Sequence, residues 1–139
     1  MKALLDHLCV HWFVHRPEPA MFAKRAVILT QAIGFFYRAA LRDVKTSLSW
    51  LGISGVRTAG FSLLEGVAWE ELSAKRKGKF EHKLRRLAAA VQTQKPARMN
   101  LSVRGKFLLT KWMHRLMQRN AHTLSLDDRY WKDKFLTKA

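Results

Sequence analysis

The chain is poor in cysteine, proline and negative charge, and each shortage narrows what it can be. A single cysteine, Cys9, excludes an internal disulfide framework and leaves no thiolate set for a structural zinc site. The three prolines, Pro17, Pro19 and Pro96, confine strong helix breaks to two places. Ten acidic residues stand against 26 Lys and Arg, a formal net charge of +16. A charge that large repels itself and calls for a negative surface nearby: nucleic acid phosphates, an anionic membrane or an acidic protein. No apolar run reaches the roughly 20 residues of a spanning helix. The longest candidate, Val27 to Tyr37, stops at Arg38 and Arg42. Residues 1–16 are apolar and weakly basic without a small-residue cleavage site, so they do not read as a secretory signal, while an uncleaved organelle address stays open.

Catalytic patterns are missing too. The glycines are scattered rather than gathered into a loop that cradles phosphate. Glu65, Glu70, Glu71, Asp127 and Asp128 sit among charged neighbours, and no nucleophile, base and orienting group combine. The expectation is a protein that binds rather than reacts, with no cofactor of its own.

What is present is helical spacing. With 139 residues, 48% of them hydrophobic, one compact unit with tails is the expected organisation. Pro17 and Pro19 set off residues 1–19 as an N-terminal helical arm. From Met21 to Trp50, Leu29, Ile33, Phe36, Ala40, Val44 and Leu48 recur every three or four residues, which predicts one long helix. Gly52 and Gly55 end it, and a second helix is predicted from Val56 through Phe61, Leu64 and Ala68 to Leu72. After Lys75–Lys79 the spacing resumes at Phe80, Leu84, Leu87 and Val91. Pro96 opens a C-terminal helical extension, residues 96–139. Its main helix carries Leu101, Leu108, Leu109, Trp112, Met113, Leu116 and Met117, and its last is opened by a Ser125–Asp128 cap. No period-two alternation suggests a strand, so the predicted class is all-α.

Two constellations invite sharper readings. His7, His11 and His15 repeat at four-residue intervals, but on a helix the outer two lie ~12 Å apart along the axis, too far for one metal ion. They read as an interfacial arm of unassigned role. Trp12, Trp50, Trp69, Trp112 and Trp131 read as packing or interface anchors before they read as base-stacking platforms. Trp12, Phe13, Trp112, Trp131 and Phe135 exceed what a small bundle buries, as in a subunit wedged among neighbours.

The segment Phe35-Phe36-Tyr37-Arg38-Ala39-Ala40-Leu41-Arg42, followed by Lys45, resembles the LYR motif of the LYR family of mitochondrial proteins, with Phe36 in place of the motif's leucine. The resemblance covers about half the chain, roughly Met21 to Val91, and makes residues 20–95 the expected LYR-like helical bundle. It implies a three-helix bundle that docks mitochondrial acyl carrier protein, whose phosphopantetheine-linked acyl chain enters the bundle while its acidic helix meets Arg38, Arg42 and Lys45. Phe36, Tyr37 and Leu41 complete the implied partner-binding set, with Phe61 or Phe80 as the family's downstream phenylalanine. The function implied is that of a non-catalytic accessory subunit of a respiratory assembly, complex I foremost, on the matrix side of the inner membrane among the subunits of a large complex. The alternative from charge alone is an rRNA-contacting protein of the mitochondrial ribosome. A basic amphipathic protein at a membrane surface ranks third.

Overall fold

A computed structural model describes residues 2–33, 37–63, 67–92, 95–120 and 122–137. Helix α1 (Lys2–Leu8) runs through short 3-10 turns at Cys9–His11 and Pro19–Ala23 into strand β1 (Arg25–Ile33). Helix α2 (Tyr37–Trp50) crosses over to strand β2 (Gly55–Leu63), which pairs with β1 in parallel, Arg25 beside Gly55 through Ile33 beside Leu63. Helices α3 (Ala74–Gln92), α4 (Leu101–Asn120) and α5 (Leu126–Trp131) follow, and a π-helical turn, Lys132–Leu136, extends α5.

The predicted all-α three-helix bundle is therefore wrong: the chain is mixed α/β. The helix expected over Met21–Trp50 is a strand followed by a shorter helix, and the one expected from Val56 to Leu72 is a strand followed by turns. A strand covered on both faces loses its apolar–polar alternation and reads as a near-continuous apolar run. Ala26-Val27-Ile28-Leu29 is a run of that composition, although in β1 only the face of Ala26 and Ile28 is covered, and three- and four-residue spacings fall inside any such run by chance. In the second segment Gly60 disfavours a helix, whereas β2, which begins at Gly55, uses it. A side chain at position 60 would collide with the Tyr37 ring, so glycine there lets the start of α2 close onto the sheet.

Since in-register residues of a parallel pair point the same way, Ile28, Thr58 and Gly60 face α2 while Leu29, Ala59 and Phe61 face the opposite side. There Ala59, Phe61 and Leu87 of α3 form a buried cluster, with Phe80 packed edge-on to Phe61 at 4.8 Å. α2 and α3 thus cover opposite faces.

The C-terminal helices and the N-terminal arm share a second, aromatic core. Phe107 on α4 has ring centroids 5.5 Å from Phe13, 5.6 Å from Phe22, 5.5 Å from Trp131 and 5.3 Å from Phe135. Phe13 and Trp131 are 0% exposed, so these two rings are packed within the molecule rather than offered to neighbours. Trp131 Nε1 donates to the His15 carbonyl at 2.7 Å, and the Tyr130 hydroxyl donates to that of Pro17 at 2.7 Å. These bonds tie residues near the start of the chain to α5 across more than a hundred positions.

Because Phe107 sits at the centre of that core, Phe107→Ala is expected to destabilise the fold by about 3 kcal/mol. Leu108→Ala, one residue along but turned to solvent, should stay within about 0.5 kcal/mol of the parent. Denaturant midpoints of the two variants check the contrast.

Candidate docking surfaces

The residues expected to dock a partner divide when placed in the structure. Phe36 lies outside the described residues. Tyr37 is half-buried against β2 at Gly60, and Leu41 is half-buried on the same helix. Phe61 and Phe80 are brought together, but as ring-to-ring core beneath α3 rather than as the wall of an acyl channel. Arg38, Arg42 and Lys45 share the outer side of α2 and are exposed. Arg42 meets only its neighbour Asp43, at 3.9 Å, a surface pair worth little. Among the described residues the cationic row has no other ion pair, and no three-helix enclosure stands beneath it.

The histidine series disperses. His7 lies in the last turn of α1, His11 Nδ1 lies 3.3 Å from the Arg16 carbonyl oxygen, and His15 Nδ1 lies 2.9 Å from Asp127 Oδ2, next to the Arg16–Asp127 ion pair at 3.2 Å. Among the described residues no three His, Cys, Asp or Glu gather into a possible metal site.

A surface that the sequence reading missed runs along β1. Leu29 is 58% exposed and Ile33 62%, with Val27 also open, although Ala59, the counterpart of Leu29 across the register on β2, is buried against α3. The rim of α3 adds exposed Leu84 and Val91, and a cleft of about 240 Å³ opens between Arg25, Val27, Gly55, Arg57, Ala90 and Val91. The two sheet edges are unequal. On β2, Arg76 donates to the Ser62 carbonyl at 2.8 Å and Lys83 to the Gly60 carbonyl at 3.3 Å, so side chains of α3 close that edge. Among the described residues nothing closes the outer edge of β1 in this way. The signal was present in the apolar run of residues 26–29, which suits a strand buried on both faces and flanked on both edges.

A second missed surface lies on α4. Its sequence predicts an amphipathic helix with Trp112 left over from the core, and in the structure Leu108, Leu109 and Leu116 face solvent together with Trp112. Val103, Phe107, Thr110 and His114 face the protein instead. The two polar residues in that inward row are satisfied. Thr110 Oγ1 donates to the Lys106 carbonyl at 2.8 Å, and His114 Nδ1 lies 2.7 Å from Asp128 Oδ1 while its ring stacks on Trp131 at 4.8 Å. Lys106 extends towards α2, with its ammonium 4.6 Å from the centroid of the Trp50 ring, and burial pulls its pKa below the usual lysine value.

Asp128 is the buried polar hub behind α4. Burial pushes its carboxyl pKa up, but hydrogen bonds from Ser125 and His114 and the charge of His114 outweigh that, leaving it below the ordinary carboxylate value. No protein-family model matches the chain, and no curated protein or solved structure matches it.

A carboxylate whose pKa is depressed by folding stabilises the fold above its unfolded value, about 3.9, and loses that contribution as pH falls through its lower folded value. Asp128→Asn is expected to cost about 1–3 kcal/mol near neutral pH, since it removes the carboxylate charge beside His114 and one of the two acceptor oxygens that Ser125 and His114 use. The gap from the parent should close on acidification, as read from denaturant midpoints across the acid range.

Proposed function

We propose that this chain is a non-catalytic binding subunit that docks an acidic protein, and that the open edge and bare apolar row of β1 form the contact. The observation behind the reading is the mismatch between β1 and its position: an interior type of strand stands at an edge, with Val27, Leu29 and Ile33 open to water. Covering such side chains gains roughly 1–2 kcal/mol each, and a strand added along the edge would satisfy the outward backbone groups as well. Lys24, Arg25 and Arg57 lie at the head of this surface, so a partner rich in carboxylates suits it best.

Mitochondrial acyl carrier protein, the partner implied by the LYR resemblance, is an acidic protein of this kind. Its docking would fall on Arg38, Arg42 and Lys45 of α2 rather than on β1, and a respiratory assembly at the matrix side would be the setting. The two contacts are separable by mutation.

Affinity purification of the tagged chain from mitochondria, with co-purified proteins and RNA identified, tests the proposal. An acidic protein should be recovered with the parent and with Arg38→Ala/Arg42→Ala, and lost with Leu29→Glu/Ile33→Glu. Loss with the arginine pair instead would move the contact to α2 and favour carrier-protein docking. Recovery of rRNA with ribosomal proteins, unaffected by the β1 changes, would replace both readings with phosphate neutralisation.

A further inference from the structure

We propose that α4 lies in the surface of an anionic lipid bilayer, its apolar ridge in the acyl boundary and lipid phosphate in the cationic basin beside it. This surface uses none of the residues of β1 or α2 invoked above, and its argument is independent of theirs.

The ridge follows from the register of α4. Leu101, Leu108, Leu109, Trp112 and Leu116 recur at helical spacing on the side opposite Val103, Thr110 and His114, which are fixed against the protein. The inward residues hold the helix in place, so the outward ones cannot turn in to form core. Trp112, at the centre of the ridge, is 60% exposed. A helix of this length is about 30 Å long, and lying flat it would place the whole ridge at one depth.

Charge is arranged to match. Arg104 and Arg115 follow one flank of the ridge, and Arg119 stands at its C-terminal end. Next to them lies an open basin of about 510 Å³, lined by Arg115, Arg119 and Lys132 together with Gln118, Leu124, Leu136 and Thr137. Three cations and no carboxylate line it, which suits a phosphate or phosphodiester. Apolar side chains on one side and phosphate ligands on the other, along a single helix, reproduce the layering of headgroup over acyl chain. Tryptophan is favoured at that boundary because its ring is apolar and its N–H is polar. The ridge is built of Leu side chains around Trp112, which a fluid bilayer accommodates without a matching groove. Among the described residues no helix is long and apolar enough to cross a membrane, so the association is peripheral.

Flotation of the purified full chain with phosphatidylcholine vesicles, with and without phosphatidylglycerol, tests this. The parent should float only with the anionic vesicles and be released by salt, and its tryptophan emission should shift to the blue by an amount that Trp112→Phe largely removes. Arg115→Gln/Arg119→Gln should weaken binding about tenfold or more. Leu109→Glu/Leu116→Glu should abolish it with helicity unchanged, and Leu29→Glu/Ile33→Glu should leave it intact whether or not the acidic-protein reading survives. Absence of flotation, or flotation that survives Leu109→Glu/Leu116→Glu, would overturn the proposal; the second result would mean that net charge alone holds the chain to lipid. An acidic protein that binds through α4 in place of vesicles would overturn it equally.

Discussion

The in-register parallel pairing of β1 with β2 sets what every other element must do. A parallel pair needs a crossover, and α2 is that crossover, held down where Gly60 admits the Tyr37 ring. Both faces then need cover. α2 supplies it on one side, resting on both strands, and α3 on the other, lying nearer β2 than β1. α3 sits over Ala59 and Phe61 and lends Arg76 and Lys83 to the outer carbonyls of β2, so on that face the cover falls on β2 and the Val27, Leu29 and Ile33 row of β1 is left bare. Two strands are few for a stable sheet. The openness of β1 is thus a geometrical consequence of how the helices are placed.

The aromatic core solves a different problem. α4 and α5 have little contact with the sheet, and they gain a fixed position by packing on residues near the start of the chain. Phe107 meets rings from both ends, and Trp131 and Tyr130 bond the carbonyls of His15 and Pro17. Asp128 then locks α5 to α4 through His114, with Ser125 capping the helix on the same carboxylate. This anchoring faces α4 inward along a row containing Thr110 and His114, and sends its more apolar row to solvent.

How much of this the sequence disclosed varied with the physical signal. α3, α4 and the Ser125 cap were legible because amphipathic spacing and cap chemistry are local. β1 was not, because an apolar run carries no period of its own and the spacing of Leu29 and Ile33 fits a helix as readily as a strand. β2 offered Gly60 as a warning. The direction in which α4 faces was hidden for another reason: Thr110 and His114 become acceptable core residues only through partners, one of them on a distant helix, that no window of sequence contains. Of the motif residues, the cations Arg38, Arg42 and Lys45 were placed correctly on one exposed helix side, since helical register alone decides that. The burial of Phe61 beneath Phe80 depended on the unforeseen strand.

The charge and the bare apolar surfaces are best understood together. An open strand edge is a hazard because it pairs with any other edge, another copy of itself first of all. Here two copies would meet carrying +16 each, and β1 offers no carboxylate to compensate the Lys24 and Arg25 at its head. Repulsion of that kind acts over roughly 8 Å at physiological salt, beyond the reach of apolar contact, so it operates before the edges touch. The same field draws in anionic surfaces and leaves the choice among them to short-range contacts. Leu29 and Ile33 favour a strand, whereas Leu109 and Trp112 favour a soft apolar layer. On this view the excess of basic residues both protects the exposed surfaces from self-association and selects the sign of whatever covers them.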